Sequence, residues 1–174
     1  MSGTRAKKQG IGAEAEKKIA AKYPKEWEAD AMAWVANMSG QSVEWGTGDE
    51  ARLGDNFAKP LTDGVILCHV VNNLFPNSVK KVHDQNPNAF KMQENISNFL
   101  KACEANGVDR VHIFQTVDLY EKQNVGQVIS CLQALSRVAN KKDPSKPLFG
   151  PKQADECKRE FTEEQLKEAA KKAH

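Results

Sequence analysis

The stretch LTDGVILCHVVNNLFP, residues 61–76, carries the strongest structural signal in the chain. It begins with a turn-and-cap signal around Asp63 and Gly64, and it closes on Pro76, which cannot continue a helix. Between these limits the apolar residues recur at helical spacing and cover more than one side of the predicted helix. These residues are Val65, Leu67, Cys68, Val71, Leu74 and Phe75. A helix of this kind needs other helices around it, so the stretch predicts an all-α fold.

Three other segments show an apolar stripe with helical spacing. They are residues 27–38, which end before Gly40, residues 92–103, and residues 125–139, which follow a candidate N-cap at Asn124. Residues 111–114 come nearest to a strand pattern, but they are short and isolated. We therefore predict a compact bundle of four main helices plus short helices. Its expected core includes, besides the residues above, Trp34, Ile96, Phe99, Leu100, Val128, Leu132 and Leu135.

Length and composition favour one globular domain with appendages. The chain has 174 residues, of which 40% are hydrophobic and 28% are charged. No apolar run approaches the roughly 18–20 residues that a membrane-spanning helix needs. Residues 1–12 are basic and lack the apolar core of a secretory signal, so we expect a flexible basic arm there and no membrane association.

The four cysteines do not form a metal-binding or disulfide pattern. They are Cys68, Cys103, Cys131 and Cys157, and no two of them make a CxxC pair. The first three lie on apolar helical faces. We expect them to be buried free thiols in a reducing, cytoplasmic environment rather than a disulfide framework or a zinc site.

Charge is distributed unevenly along the chain. Residues 1–25 carry seven Lys/Arg and two Asp/Glu, a net charge of +5. Residues 26–140 carry nine Lys/Arg and fourteen Asp/Glu, a net charge of −5. Residues 141–174 carry nine Lys/Arg and seven Asp/Glu, a net charge of +2, and the net charge of the whole chain is also +2. An acidic middle with basic ends is compatible with attraction to an acidic polymer, although solubility alone also explains it.

The sequence lacks the motifs of common catalytic and cofactor sites. It has no GxxxxGK[ST] and no GxGxxG, so no phosphate-binding loop is predicted. Cys68 and His69 are neighbours on one helix and therefore point apart, which is poor geometry for a nucleophile and its base. We predict no enzyme activity, no cofactor and no metal. Nucleic-acid binding is not expected either, because no basic stripe with interleaved aromatic residues is present.

Four motifs in order resemble a calponin homology domain of the calponin/transgelin type, including muscle protein 20-like proteins. They are Trp34, LTDGVILCHVVNNLFPNSVKKV (residues 61–82), FKMQENISNFLKACEANGV (residues 90–108) and FQTVDLYEKQNVGQVISCLQAL (residues 114–135). Together they cover about residues 27–139. The resemblance implies an all-α calponin homology fold, which agrees with the apolar stripes.

A second resemblance follows this region. FGPK at residues 149–152 and ADECKREFTEEQLKEA at residues 154–169 are similar to the segment that follows the domain in this family. In the family that segment leads into a calponin repeat, and the sequence ends at His174 where such a repeat would begin. We therefore do not assign to these residues the filament-stabilising role that the resemblance would connect with such a repeat.

The expected organisation has four parts. Residues 1–12 form the basic arm, and residues 13–140 form the calponin homology domain with an N-terminal helical extension. Residues 141–151 form a linker, which its three prolines keep extended rather than helical. Residues 152–174 form a charged tail with a short helix, where Thr162 and Gln165 make a capping box.

The resemblance implies a non-catalytic cytoskeletal protein, expected to be a monomer, that binds and could cross-link actin filaments. The predicted tail contact comprises Lys152, Lys158, Arg159, Phe161, Leu166, Lys167, Lys171 and Lys172. A second predicted contact comprises Arg5, Lys7, Lys8, Lys17 and Lys18. Two alternatives stay open: a signalling or scaffold adaptor that binds another protein through the domain, and a microtubule-binding protein.

Overall fold

A computed structural model describes residues 11–49 and 52–150, and all the regular secondary structure in these ranges is helical. The helices are α1 (Ile11–Ala21), α2 (Lys25–Ser39), α3 (Asp55–Ala58), α4 (Val65–Leu74), α5 (Ala89–Ala105), α6 (Thr116–Tyr120) and α7 (Val125–Lys142). Two 3₁₀ turns lie at Lys59–Leu61 and Arg110–His112. The predicted all-α fold is confirmed, and α2, α4, α5 and α7 are its four main helices.

Helix α4 lies at the centre of the bundle. Its side chains Leu67, Cys68, Val70 and Val71 have no exposed surface, and it packs chiefly against α2 and α5. Burial on several sides is what a helix with a wide apolar surface requires. The stretch at residues 61–76 therefore forms the innermost helix, as its pattern predicts.

One buried asparagine attaches α4 and a neighbouring loop to α5. Asn95 of α5 has no exposed surface, and its side-chain carbonyl accepts a hydrogen bond from the His83 N–H at 2.9 Å. Its amide donates to the carbonyls of Asp63 at 3.0 Å and His83 at 2.9 Å. The buried side chain is fully used, because both ends of the amide have partners.

Gly64 lets the start of α4 come this close to α5. Its φ of 74° lies in the left-handed region, where residues with a Cβ are strained. A Cβ added at Gly64 would lie 2.8 Å from both the Cβ of Asn95 and the backbone nitrogen of Ile96. The glycine is thus required twice, by the backbone conformation and by the contact with α5.

Two further polar side chains of the stretch connect α4 to other elements. Asn72 accepts from the Val79 N–H at 2.8 Å and donates to the Val79 carbonyl at 3.0 Å. Asn73 donates to the carbonyls of Met38 and Ser39 at 2.8 and 3.1 Å, at the C-terminus of α2. These asparagines satisfy backbone groups that would otherwise lack partners, so their role is structural.

Some details differ from the expectations. Val65 is only half-buried and lies outside the core, while Leu100 and Phe75 are half-buried and pack against its edge. Val65 is the first residue of α4, where fewer neighbours surround a side chain. The other expected core residues are buried.

Two helix boundaries also differ. Helix α7 continues to Lys142, two residues beyond the expected end of the domain at residue 140, because the prolines that prevent a helix come later. Helix α6 has no counterpart among the expected helices. At its start the Gln115 N–H donates a hydrogen bond to the Asp118 carboxylate at 2.8 Å, and five residues are too few to show a helical period.

We expect Asn95→Ala to lower the free energy of unfolding by about 3 kcal/mol, since it leaves buried backbone groups at Asp63 and His83 without partners. Urea denaturation would measure the change. Gln93→Ala is the matched control, because Gln93 is an exposed residue on the same helix. Equal losses in the two variants would contradict the role given to Asn95.

We expect Gly64→Ala to lower the free energy of unfolding by about 3 kcal/mol, through the left-handed φ and the overlap with α5. Gly48→Ala is the control, because a Cβ at Gly48 meets nothing within 4 Å, and its effect should stay within about 0.5 kcal/mol. Thermal unfolding followed by circular dichroism would compare them. A Gly64→Ala protein as stable as the Gly48→Ala protein would show that the close approach is not needed.

Candidate functional site

The predicted tail contact lies outside the described residues. This applies to all of its members, from Lys152 to Lys172, and the short helix predicted there is likewise outside. Arg5, Lys7 and Lys8 of the second predicted contact also lie outside. The two remaining members of that contact, Lys17 and Lys18, are exposed residues of α1.

Helix α1 and the turn that follows it contact the rest of the domain through side chains. The guanidinium of Arg52 lies 3.3 Å from the carboxylate of Glu16, and this pair is partly exposed. The hydroxyl of Tyr23 donates a hydrogen bond to the carboxylate of Glu28 on α2. Lys17 and Lys18 therefore project from a helix with defined contacts to the domain.

The C-terminal end of α7 carries a second group of basic residues. Lys141 and Lys142 are exposed at the end of α7, and Lys146 is half-exposed just beyond it. The ammonium group of Lys142 lies 4.8 Å from the centre of the Phe75 ring and donates to the Asn106 carbonyl at 3.0 Å. A cation over an aromatic ring is attracted to its face, so the end of α7 is held against the end of α4.

The chain after α7 folds back onto the domain, and we call residues 143–150 the docked segment. It begins with a turn in which Asp143 accepts hydrogen bonds from the N–H and the hydroxyl of Ser145, at 3.0 and 2.7 Å. These hydrogen bonds lower the pKa of Asp143 below its ordinary value. Asn140 of α7 donates to the Lys146 carbonyl at 2.7 Å. The turn is thus attached to α7 on one side.

The docked segment then packs against α2 through Trp34. The Trp34 indole N–H donates to the Pro147 carbonyl at 2.8 Å. The rings of Trp34 and Phe149 lie 5.2 Å apart between centroids at an angle of 39°, and Phe149 is only 7% exposed. Tilted aromatic pairs at this distance are favourable beyond their buried area. Beside this contact lies an open cleft lined by Trp27, Asp30, Ala33, Asn37 and Leu148.

Gly150 ends the docked segment against α7. Its φ of 82° is left-handed, and an added Cβ would lie 2.6 Å from the side-chain nitrogen of Gln133. That nitrogen is buried and has no acceptor among the described residues. Gly150 thus fits between α2 and α7 at the point from which the predicted tail continues.

Sequence reasoning missed the docked segment as a part of the domain. Residues 143–150 form turns and extended chain but no helix, as the prolines predict. They nevertheless pack on α2 rather than standing away from it. The available signal was Phe149, a large apolar residue among prolines and charged residues. Its partner Trp34 is 115 positions earlier in the chain, and no local pattern connects the two.

The chemistry available elsewhere in the described residues is limited. In ranges 11–49 and 52–150, no group of three or more His, Cys, Asp or Glu could hold a metal ion. Within the same ranges, no helix is long and apolar enough to cross a membrane. Cys68, Cys103 and Cys131 are buried free thiols, as expected, and Cys157 lies outside the described residues.

Burial makes two of these thiols poor nucleophiles. It raises the pKa of the Cys68 thiol to about 12, with a smaller contribution from the negative charge of Asp63. Burial is also the largest cause that raises the pKa of Cys103 well above its ordinary value, and the neighbouring Cys131 and Cys68 add to it. Because the thiolate is the reactive form, both groups should be inert in the folded protein.

We therefore expect iodoacetamide at pH 8 to leave Cys68, Cys103 and Cys131 unmodified in the native chain and to modify all three in guanidinium chloride. Peptide mass spectrometry would locate the modified residues. The same shifts predict that the free energy of unfolding falls as the pH rises above 9.0, the ordinary thiol value. The unfolded chain then loses protons that the folded chain keeps. Rapid native modification of Cys68 would contradict this account.

Comparison with known proteins agrees with this helical arrangement. The family model described as "Calponin homology (CH) domain" matches residues 25–141, from the start of α2 almost to the end of α7. The chain belongs to the calponin homology family. The match begins after α1 and stops before the docked segment, so both appendages lie outside the part that defines the family.

Relatives and solved structures support the same assignment. Muscle-specific protein 20 of Drosophila melanogaster is 42% identical over 151 residues, which are 86% of this chain and 77% of that protein. Myophilin of Echinococcus granulosus is 38% identical over 160 residues, which are 91% of this chain and 80% of that protein. The calponin-homology domain of an IQGAP protein from Schizosaccharomyces pombe is 25% identical with a TM-score of 0.59, and 90% of this chain and 91% of that chain are covered. The expected relationship to the calponin/transgelin group is confirmed by the first two.

Proposed function

We propose that the chain is a non-catalytic, actin-filament-binding cytoskeletal protein of the transgelin type, whose tail makes the main contact. The calponin homology match and the two relatives support association with the actin cytoskeleton. The assignment of the contact to the tail, and the proposal of cross-linking, rest on the geometry and charge of this chain. The corresponding location would be the cytoplasm.

The observation that carries the tail assignment is the course of the chain after α7. Exposed lysines stand at the end of α7, and the docked segment brings the chain to Gly150 between α2 and α7. The next residues include Lys152, Lys158 and Arg159. Basic residues of the end of the domain and of the tail thus follow one another in the sequence. An acidic filament would attract both, chiefly by speeding encounter.

The exposed lysines of α1 provide a basis for a second contact. Lys17 and Lys18 lie on α1, which contacts Arg52 through Glu16 and is followed by Tyr23, which contacts Glu28 of α2. Two separated contacts on a monomer would allow one molecule to connect two filaments. A microtubule-binding role is less well supported, because residues 26–140 carry a net charge of −5 (nine Lys/Arg, fourteen Asp/Glu) and microtubules are strongly acidic.

The test compares the full chain with a truncation that ends at Gly150, by co-sedimentation with actin filaments at several salt concentrations. This end point keeps Phe149 on Trp34, whereas an end at Lys142 would uncover the indole and confuse two effects. We expect the truncation to lose most of the binding, and we expect added salt to weaken binding of the full chain.

A charge reversal in the full chain provides a second test of the tail assignment. Lys158→Glu combined with Arg159→Glu should reduce binding at low salt about tenfold, with Lys80→Glu combined with Lys81→Glu as a matched control on the domain surface. Binding of the truncation equal to that of the full chain would contradict the tail assignment. If the full chain does not sediment with actin, the adaptor alternative would replace this proposal.

Bundling is read from the same samples at low centrifugal speed. Filaments that pellet with the full chain but not with Lys17→Glu combined with Lys18→Glu would support the second contact. Filaments that stay in the supernatant with the full chain would contradict cross-linking.

A further inference from the structure

We infer that Trp34 and Phe149 are positioning residues that set where the tail begins and in which direction it leaves the domain. This inference rests on the proposed function, since it concerns how the tail is presented to a filament. It concerns residues that the predicted contacts do not include, and Phe149 lies outside the region that the family model matches.

Three kinds of contact hold the docked segment. The Trp34 indole donates to the Pro147 carbonyl at 2.8 Å, and the Phe149 ring lies against the Trp34 ring at 5.2 Å. Gly150 packs closely on the Gln133 side chain. A hydrogen bond, a ring contact and a steric limit together restrict both position and rotation, so the chain at Gly150 has a defined course.

Trp34 and Phe149 belong to the buried core, but Phe149 reaches it from the C-terminal end of the described chain. The docked segment follows the last helix, and its main partner Trp34 belongs to α2 rather than to α4. Segments at the ends of a domain can open locally while the rest stays folded, because they bury fewer apolar contacts than the core does. Removing the Phe149 ring should therefore release residues 147–150 without disturbing Asn95, Gly64 or the helices around them.

Release of the docked segment would weaken binding to actin filaments, because the start of the tail would no longer have a fixed position. With the segment docked, the tail starts from one place, beside Gln133 of α7. With the segment released, residues 147–150 lengthen the connection between the domain and the tail, and the entropy cost of ordering them must be met when the filament binds. A longer tether also lowers the effective concentration of the tail near any site that the domain helps to form. We expect about a fivefold loss of affinity for actin filaments.

The test uses four forms of the full chain: wild type, Phe149→Ala, Phe149→Leu and Leu148→Ala. Leu148 is the matched control, because it is the neighbouring apolar residue and is 36% exposed. Phe149→Leu keeps apolar bulk and should restore part of the loss. Urea denaturation of each form would verify that the domain remains folded.

Two measurements report separately on the contact between Trp34 and the docked segment and on the affinity for actin filaments. Hydrogen exchange of the Trp34 indole N–H, followed by nuclear magnetic resonance and assigned with Trp34→Phe, reports the contact with Pro147 directly. We expect this proton to be protected in the wild type and in Leu148→Ala, and to exchange at least tenfold faster in Phe149→Ala. Actin co-sedimentation should show the fivefold loss in Phe149→Ala alone, with partial recovery in Phe149→Leu.

Failure of this inference can be distinguished from failure of the proposed function. Fast exchange of the Trp34 indole proton in the wild type would overturn the contact itself, whatever the chain binds. Equal actin affinity of wild type and Phe149→Ala, with fast exchange only in the variant, would overturn the positioning role while the proposed function stands. A wild type that does not bind actin would overturn the proposed function and the positioning role, and protection of the indole would then establish the contact alone.

Discussion

The structure depends above all on the contact between the start of α4 and the middle of α5. Gly64 allows the two backbones to approach, and Asn95 uses both ends of its buried amide to hold Asp63 and His83. A buried amide with an unpaired end would cost more free energy than an apolar residue. The contact is therefore favourable only in one relative position of the two helices, and this requirement selects the packing of the whole bundle.

This constraint explains why the residues that identify the family are poor candidates for binding a partner. The apolar side chains of α4 face the bundle interior, and Asn72 and Asn73 are occupied with backbone groups of neighbouring elements. The described groups that remain accessible include charged residues of α1, of the end of α7 and of the cleft beside Trp34. Partner recognition is thus assigned to the periphery, where changes of sequence cost little stability.

Local patterns predicted the four main helices well and the edges of the core less well. Apolar residues at helical spacing identify a buried face, but Val65 shows that a residue at the end of a helix can match the period and still lie half outside the core. Helix α6 was too short to show a period. The predicted contacts stay predictions: Lys17 and Lys18 are exposed residues of α1, and the predicted tail lies outside the described residues.

The sequence by itself determined the fold class, the four main helices and the resemblance to the family. These follow from composition and from patterns within about twenty residues, over which helical periodicity and capping act. Only the tertiary structure decided what residues 143–150 do. Prolines predict that this segment is not helical, but they do not specify whether it stands free or packs. That depended on Trp34, a partner distant in the chain, which the bundle brings beside Pro147 and Phe149.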